Sequence, residues 1–265
     1  MTTLLDQPLV LSMVLFLFLS LAVDFGFRLA VMTGVVTDDH RREQIAASRD
    51  ALDILLSLLL GFTLAMALPR YDLRNQLVMD EANAIATTGL RAAMLPEAQR
   101  IEVHSLLVQY VDARIQYSRA TVATGDFSAA IERSRSLQSA LWQSAVEASR
   151  QSPTPVTTLF VASLNDTIDL SEKRLIALEN RIPPSIWLML LLIALLTCFT
   201  FGYGQRRRFW LVTVVSPLMI AIVMGLIADL DSPRSGFLRP DPRSLERVAH
   251  DLKAAPNSTP PTSPH

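Results

Sequence analysis

Two pairs of long apolar runs frame a polar, helix-patterned stretch at residues 69–184, and this arrangement decides the solvent in which the chain folds. The first run is Leu9 to Val23, with a continuation past Asp24 and Arg28 to Val36, and the second is Leu52 to Leu68. The third is Ile186 to Phe201 and the fourth Phe209 to Leu230. Crossing the hydrocarbon layer takes about 20 largely apolar residues, and roughly 17 is a practical minimum. All four runs reach or approach that length, so four transmembrane helices are expected. A cleaved secretory signal is the alternative for the first run. Met1 to Pro8 carries no Lys or Arg, however, and no small-x-small site follows Val23. The short third run could be a buried core helix, but its pairing with the fourth across Gly202 to Arg208 reads as a membrane hairpin.

Between the pairs the apolar period changes. Leu73, Leu77, Ala84, Ile85 and Leu90 suggest that the second span leaves the bilayer as an amphipathic helix. Pro96 ends it, and Glu97 to about Thr121 forms the next helix, with Ile101, Leu106, Val108, Val111 and Ile115 as its apolar positions. After a break at Gly125 and Asp126, Phe127 to about Arg150 follows, offering Ile131, Leu137, Leu141, Trp142 and Val146. A last helix starts with Thr154 as cap and Pro155 in its first position, since proline there lacks only a donor that would be unpaired anyway. It carries Leu159, Leu164, Ile168, Leu175 and Leu178 as far as Pro183 and Pro184.

No strand-type alternation of useful length occurs, so the fold class is all-α: four spans, with a helical extramembrane bundle inserted between spans 2 and 3. The expected organisation is spans 1 and 2 in residues 1–68, the bundle continuous with span 2 in 69–184, and spans 3 and 4 in 185–230. Residues 231–265 form a Pro/Ser-rich tail, expected to be largely disordered for want of apolar surface to offset its ordering entropy.

Composition agrees with this class. There are 24 basic and 25 acidic residues, a balance that does not suggest nucleic acid. Nearly all the basic residues are Arg, the lysines being Lys173 and Lys253, which suggests a GC-rich bacterial genome more than a polybasic binding surface; for a multi-pass chain of that source the bacterial inner membrane is the expected location. The single cysteine, Cys198, lies in the third span and excludes an intrachain disulfide. His40, His104, His250 and His265 have no metal-ligand spacing, and no phosphate loop or nucleophile elbow occurs, so neither an enzyme nor a cofactor is expected. Asp80 with Glu81, and Asp166 with Asp169, read as solvated faces or salt bridges.

Ionisable groups near spans are the natural candidates for chemistry, because each costs about 2.5 to 3.5 kcal/mol at a helix centre on the insertion scale. Asp24 and Arg28, four apart, share a helix face and neutralise each other, either on an ion path or in the headgroups. Asp53 is read as a helix-start acid at the entrance to the second span. Along that span Ser57, Gly61, Thr63, Ala65 and Ala67 are small, and Gly61 with Ala65 has the small-xxx-small spacing of a packing seam or a narrow pore lining. In the fourth span Pro217 should kink the helix and Gly225 permits close packing.

The second span resembles the bestrophin-like membrane family, also described as a domain of unknown function (DUF4239). Ser57, Leu60, Gly61 and Phe62, followed by Arg70, are similar to the SxxLGF segment and later arginine of the bestrophin pore helix. Asp80 to Ile85 (DEANAI) and Leu95 to Arg100 (LPEAQR) resemble what such members carry after span 2. Ile227 to Gly236 (IADLDSPRSG) resembles the acidic-x-Pro ending of span 4, where Asp229, Asp231 and Pro233 match. The resemblance implies a homo-oligomer in the lipid bilayer, pentameric in bestrophins, with span 2 lining an anion pathway. On it, Ser57, Gly61, Phe62, Thr63 and Ala65 line or pack the conduit, and Arg70 and Arg74 attract small anions at its mouth. The chain departs from bestrophins in two respects. The aromatic run after the arginine is reduced to Tyr71, and of the dense acidic loop that clasps calcium only Asp229 and Asp231 stand nearby.

Orientation signals oppose each other. Short loops carrying Arg41, Arg42, Arg49 and Arg206 to Arg208 favour the cytoplasm by the positive-inside rule. The other side has Arg70, Arg74, Lys173, Arg174, Arg181, Arg234, Arg239 and Arg243, and the resemblance places that side, with the bundle and both termini, inside. A non-conducting scaffold or sensor using the bundle to bind a partner is the competing function.

Overall fold

A computed structural model describes residues 7–34, 39–120, 127–205, 207, 210–233 and 236–254. Gly125, Asp126, Arg206, Arg208, Arg234, His265, the continuation of the first run through Val36 and the chain beyond Ala254 lie outside the described residues, as do the side chains of His40 and Arg42. The described elements are all helical: α1 Pro8–Met32, α2 Asp39–Ala92, α3 Glu97–Arg119, α4 Phe127–Gln151, α5 Pro155–Glu179, α6 Pro184–Tyr203, α7 Trp210–Asp231 and α8 Arg243–Ala254. Among the described residues four helices are long and apolar enough to cross a membrane. The chain divides into two compact units, Met1–Tyr71 with Arg181–Leu238, and Asp72–Asn180 with Arg239–His265.

In the first unit α1, α6 and α7 pack on one another, burying Leu19, Val23, Leu190, Ala194, Met224 and Ile227. Lipid tails supply no hydrophobic drive between such helices, so close backbone approach must do the work. Two glycines make it possible. A Cβ on Gly26 of α1 would lie 2.2 Å from the Phe199 carbonyl oxygen of α6, and one on Gly202 would lie 2.0 Å from the Val23 carbonyl oxygen. Phe25 and Phe199 pack beside this crossing with ring centroids 6.0 Å apart, and Thr33 and Tyr203 share a hydroxyl hydrogen bond of 3.0 Å. Gly225 of α7 plays the close-packing part expected of it, since a Cβ there would meet Ser12 Oγ at 1.8 Å. Pro217 sits inside α7, which stays helical around it, and Cys198 is buried.

Helix α2 is 54 residues long, far more than the about 20 residues that cross a bilayer. It begins at Asp39, so the reading of Asp53 as a helix-start acid is corrected: Asp53 lies about four turns inside the helix, 4.0 Å from Arg49 Nε.

The second unit is a bundle around Ile85, Val103, Leu107, Tyr110, Phe160 and Leu164. Several expected core positions lie outward instead: Leu73, Leu90, Ile101, Trp142, Val146 and Leu159 are exposed. Helical periodicity marks a stripe, and the packed edge of each stripe is shifted by a residue or two, to Val103, Leu107 and Phe160. The cap at Thr154 forms as expected: its Oγ1 accepts from the Thr157 amide at 3.2 Å, with Pro155 as the first helical residue. Replacing Thr154 by alanine is expected to cost about 0.5–2 kcal/mol in denaturant unfolding, the range for lost N-caps; an unchanged midpoint would show that the cap is not limiting.

The reading of residues 231–265 as a largely disordered tail is corrected for residues 243–254. Leu245, Ala249 and Leu252 of α8 are buried in the bundle core. Gly89 of α2 leaves room for Leu252, whose Cδ2 lies 2.7 Å from where a Cβ would stand. His104 Nε2 meets the Leu252 carbonyl at 2.9 Å and Lys253 donates to Asp112 at 2.8 Å. The apolar spacing of i, i+3, i+4 and i+7 in Leu245, Val248, Ala249 and Leu252 offsets the ordering entropy that the flanking prolines do not.

Candidate functional site

Within the first unit the span portion of α2 has two unlike sides. Leu56, Thr63 and Ala67 face inward and are buried, with Leu59, Leu60 and Leu64 packed beside them. Ser57, Gly61 and Ala65, at four-residue spacing, share the opposite side with Ile54, Leu58 and Leu68, and Phe62 flanks it, 60% exposed. Nothing within 4 Å would meet a Cβ on Gly61. Thr63, like Ala67, therefore does not belong with the other small residues. Two positions beyond Gly61 it points to the far side, and its hydroxyl donates back to the Leu59 carbonyl at 2.6 Å. Pro69 follows on this helix, and its missing N–H leaves the Ala65 carbonyl without its helical donor on the same outward side. Apolar run length hides that proline at the end of the second span, although its position alone carries the signal.

The candidate cations differ from each other. Arg70 lies with Nη1 4.0 Å from Asp231 Oδ1, whereas Arg74 is buried. The acids at the end of α7 serve as anchors. Asp231 accepts the Ile182 amide at 2.9 Å, tying the approach to α6 onto α7. Asp229 accepts from the Phe237 amide at 2.9 Å and the Leu238 amide at 3.3 Å, holding the turn in which Gly236 adopts φ +102°. Asp24 and Arg28 pair at 2.6 Å within α1. Among the described residues no group of three His, Cys, Asp or Glu side chains could hold a metal ion.

In the second unit a charged cluster occupies the bundle interior. Glu81 of α2, which the sequence suggests is a solvated or salt-bridging acid, is completely buried. Its Oε1 accepts from Arg114 Nε of α3 and its Oε2 from Arg174 Nη1 of α5 at 2.6 Å. Arg174 Nη2 also donates to Ser118 Oγ at 2.6 Å. Both guanidiniums lie over the Tyr117 ring, at 4.3 and 5.1 Å from its centroid. Burial alone would push the Glu81 carboxyl up, but the attraction of Arg114 and Arg174 and their hydrogen bonds outweigh it, so its pKa falls below the usual carboxylate value. Burial, with Glu81 next, raises the Tyr110 hydroxyl to about 12, and Gln138 donates to its oxygen at 3.1 Å.

The same unit carries an apolar groove of about 550 Å³, bordered by Leu90, Ile101, His104, Leu107, Val248 and Leu252. Its rim accounts for Leu90 and Ile101, which the apolar periodicity places in the core.

A family model described as the Bestrophin-like domain matches residues 17–245. Among solved structures the chain is similar to one described as a membrane protein, with a TM-score of 0.66 at 14% identity. It is also similar to a bacterial Bestrophin homolog from Klebsiella pneumoniae, with a TM-score of 0.65 at 15% identity. In both cases 92% of this chain and 99% of the other are covered. At such identities the likeness is one of fold. No curated protein matches the chain.

Proposed function

Because the chain belongs to the bestrophin-like family, we propose that it is a multi-pass protein of the bacterial inner membrane that assembles as a homo-oligomer around α2 and passes small anions along it. The observation that carries this reading is the outward side of α2. Ser57, Gly61 and Ala65 form an exposed strip, with open space within 4 Å of a Cβ on Gly61 among the described residues, while the opposite side is packed. A pathway built from copies of this strip would be narrow and lined by backbone and small side chains, with Phe62 and Leu58 as its apolar constriction. Arg70 supplies positive charge at its end, tempered by Asp231, while Arg74, being buried, is assigned to packing. The pentameric number follows bestrophins and is part of the same proposal.

The test is chloride flux into liposomes bearing the purified oligomer. Wild-type protein is expected to give saturable anion flux, and Gly61→Trp, which adds bulk only where the chain has open space, is expected to reduce it at least tenfold with assembly intact. Absence of flux from well-assembled wild-type protein would transfer weight to the scaffold reading, which the open groove beside α8 favours.

A further inference from the structure

We propose that the helical bundle holds a small monovalent anion, chloride in the cell, against the Arg114 guanidinium in its interior, at a site separate from any conducting path. Two observations in the second unit carry this. The first is a charge count: Arg114 and Arg174 are 4% and 5% exposed, and one buried carboxylate, Glu81, faces them both. Besides Glu81, the groups that act most strongly on Arg114 are Tyr110 and Tyr117, and a tyrosine hydroxyl is neutral at pH 7. Among the described ion pairs of this cluster two arginines share one carboxylate, which leaves one positive charge over, and an arginine cannot shed its proton to remove it.

The second observation is a bonding one. Arg114 gives its Nε to Glu81, while its Nη2 is buried and has no hydrogen-bond partner among the described residues. Tyr117 does not supply one, because its ring covers the flat face of the guanidinium and leaves the in-plane N–H donors unserved. A buried charge and a buried donor both unmet are costly, and one anion beside Nη2 answers both. The leftover charge is single and Glu81 repels further negative charge, so a monovalent ion fits and a phosphate dianion does not. The site stands whether or not the chain conducts.

Bromide, the halide probe, has an anomalous signal that locates it directly. Crystals of the full chain grown in sodium bromide are expected to show an anomalous peak within about 3.5 Å of Arg114 Nη2, a charge-assisted contact distance allowing for the larger ion. In solution, bromide or chloride replacing gluconate at constant ionic strength is expected to raise the unfolding temperature saturably. That rise should persist in Gly61→Trp and vanish in Arg114→Gln. Should Arg114→Gln fail to fold, the wild-type peak and titration still decide. An ordered water beside Nη2 with no bromide peak overturns the proposal, as does a peak with no saturable stabilisation, which is binding at crystal concentration only.

Discussion

Glu81→Gln is expected to cost the bundle about 3–5 kcal/mol, because removing one member of a buried ion pair strands the others in low dielectric. Glutamine keeps the shape and one accepting oxygen but deprives Arg114 and Arg174 of the carboxylate they share. Hydrogen exchange of bundle amides in the detergent-solubilised protein reads this loss directly. The pH dependence follows from the depressed carboxyl pKa. A lowered folded-state pKa contributes stability that is complete above the ordinary carboxylate value of 4.5 and is lost as pH falls through the folded value. Wild-type protein should therefore lose stability below about pH 4.5, and the glutamine variant should lack this component. Equal stability of the two proteins at pH 7 would falsify the assignment of Glu81 as the keystone of the cluster.

Gly202→Ala carries the second large effect. The added methyl would stand 2.0 Å from the Val23 carbonyl oxygen and 3.0 Å from its Cα, so backbone rather than a flexible side chain must yield. Overpacking of this kind costs about 1–3 kcal/mol, and a rigid helix crossing belongs at the upper end. Gly204 is the control: a Cβ there meets nothing closer than 3.5 Å, and its alanine variant is expected within about ±0.5 kcal/mol of wild type. Thermal unfolding in detergent compares the three proteins. Coincident curves for Gly202→Ala and Gly204→Ala would mean that α1 and α6 do not meet through these glycines.

These two positions mark the limit of what a linear pattern encodes. Apolar run length and the Thr154–Pro155 cap act locally, so the four spans and the start of α5 are legible in the amino-acid order itself. Glu81 looks like any surface acid because its partners lie 33 and 93 residues away, a distance at which no periodicity speaks. Gly26 and Gly202 carry no motif of their own, since each is explained only by a carbonyl on another helix. On α2 the small residues are legible as a group but not as a side. Ser57, Gly61 and Ala65 recur at helical spacing, whereas Thr63 falls out of register and packs inward. The signal for α8 is present at Leu245, Val248, Ala249 and Leu252 and is masked by the prolines around it.

The seat of α8 also sets the order in which the protein can be made. His104 on α3 waits for a carbonyl 148 residues later in the chain, and Gly89 for a leucine later still in synthesis than both spans α6 and α7. Closing so long a loop is slow, and chains emerge from the N-terminus first. The bundle is thus finished by a helix made after both α6 and α7. Until Leu245 and Leu252 arrive, the newborn bundle presents an unfinished apolar side, so the protein passes through a vulnerable stage between the synthesis of α5 and that of α8.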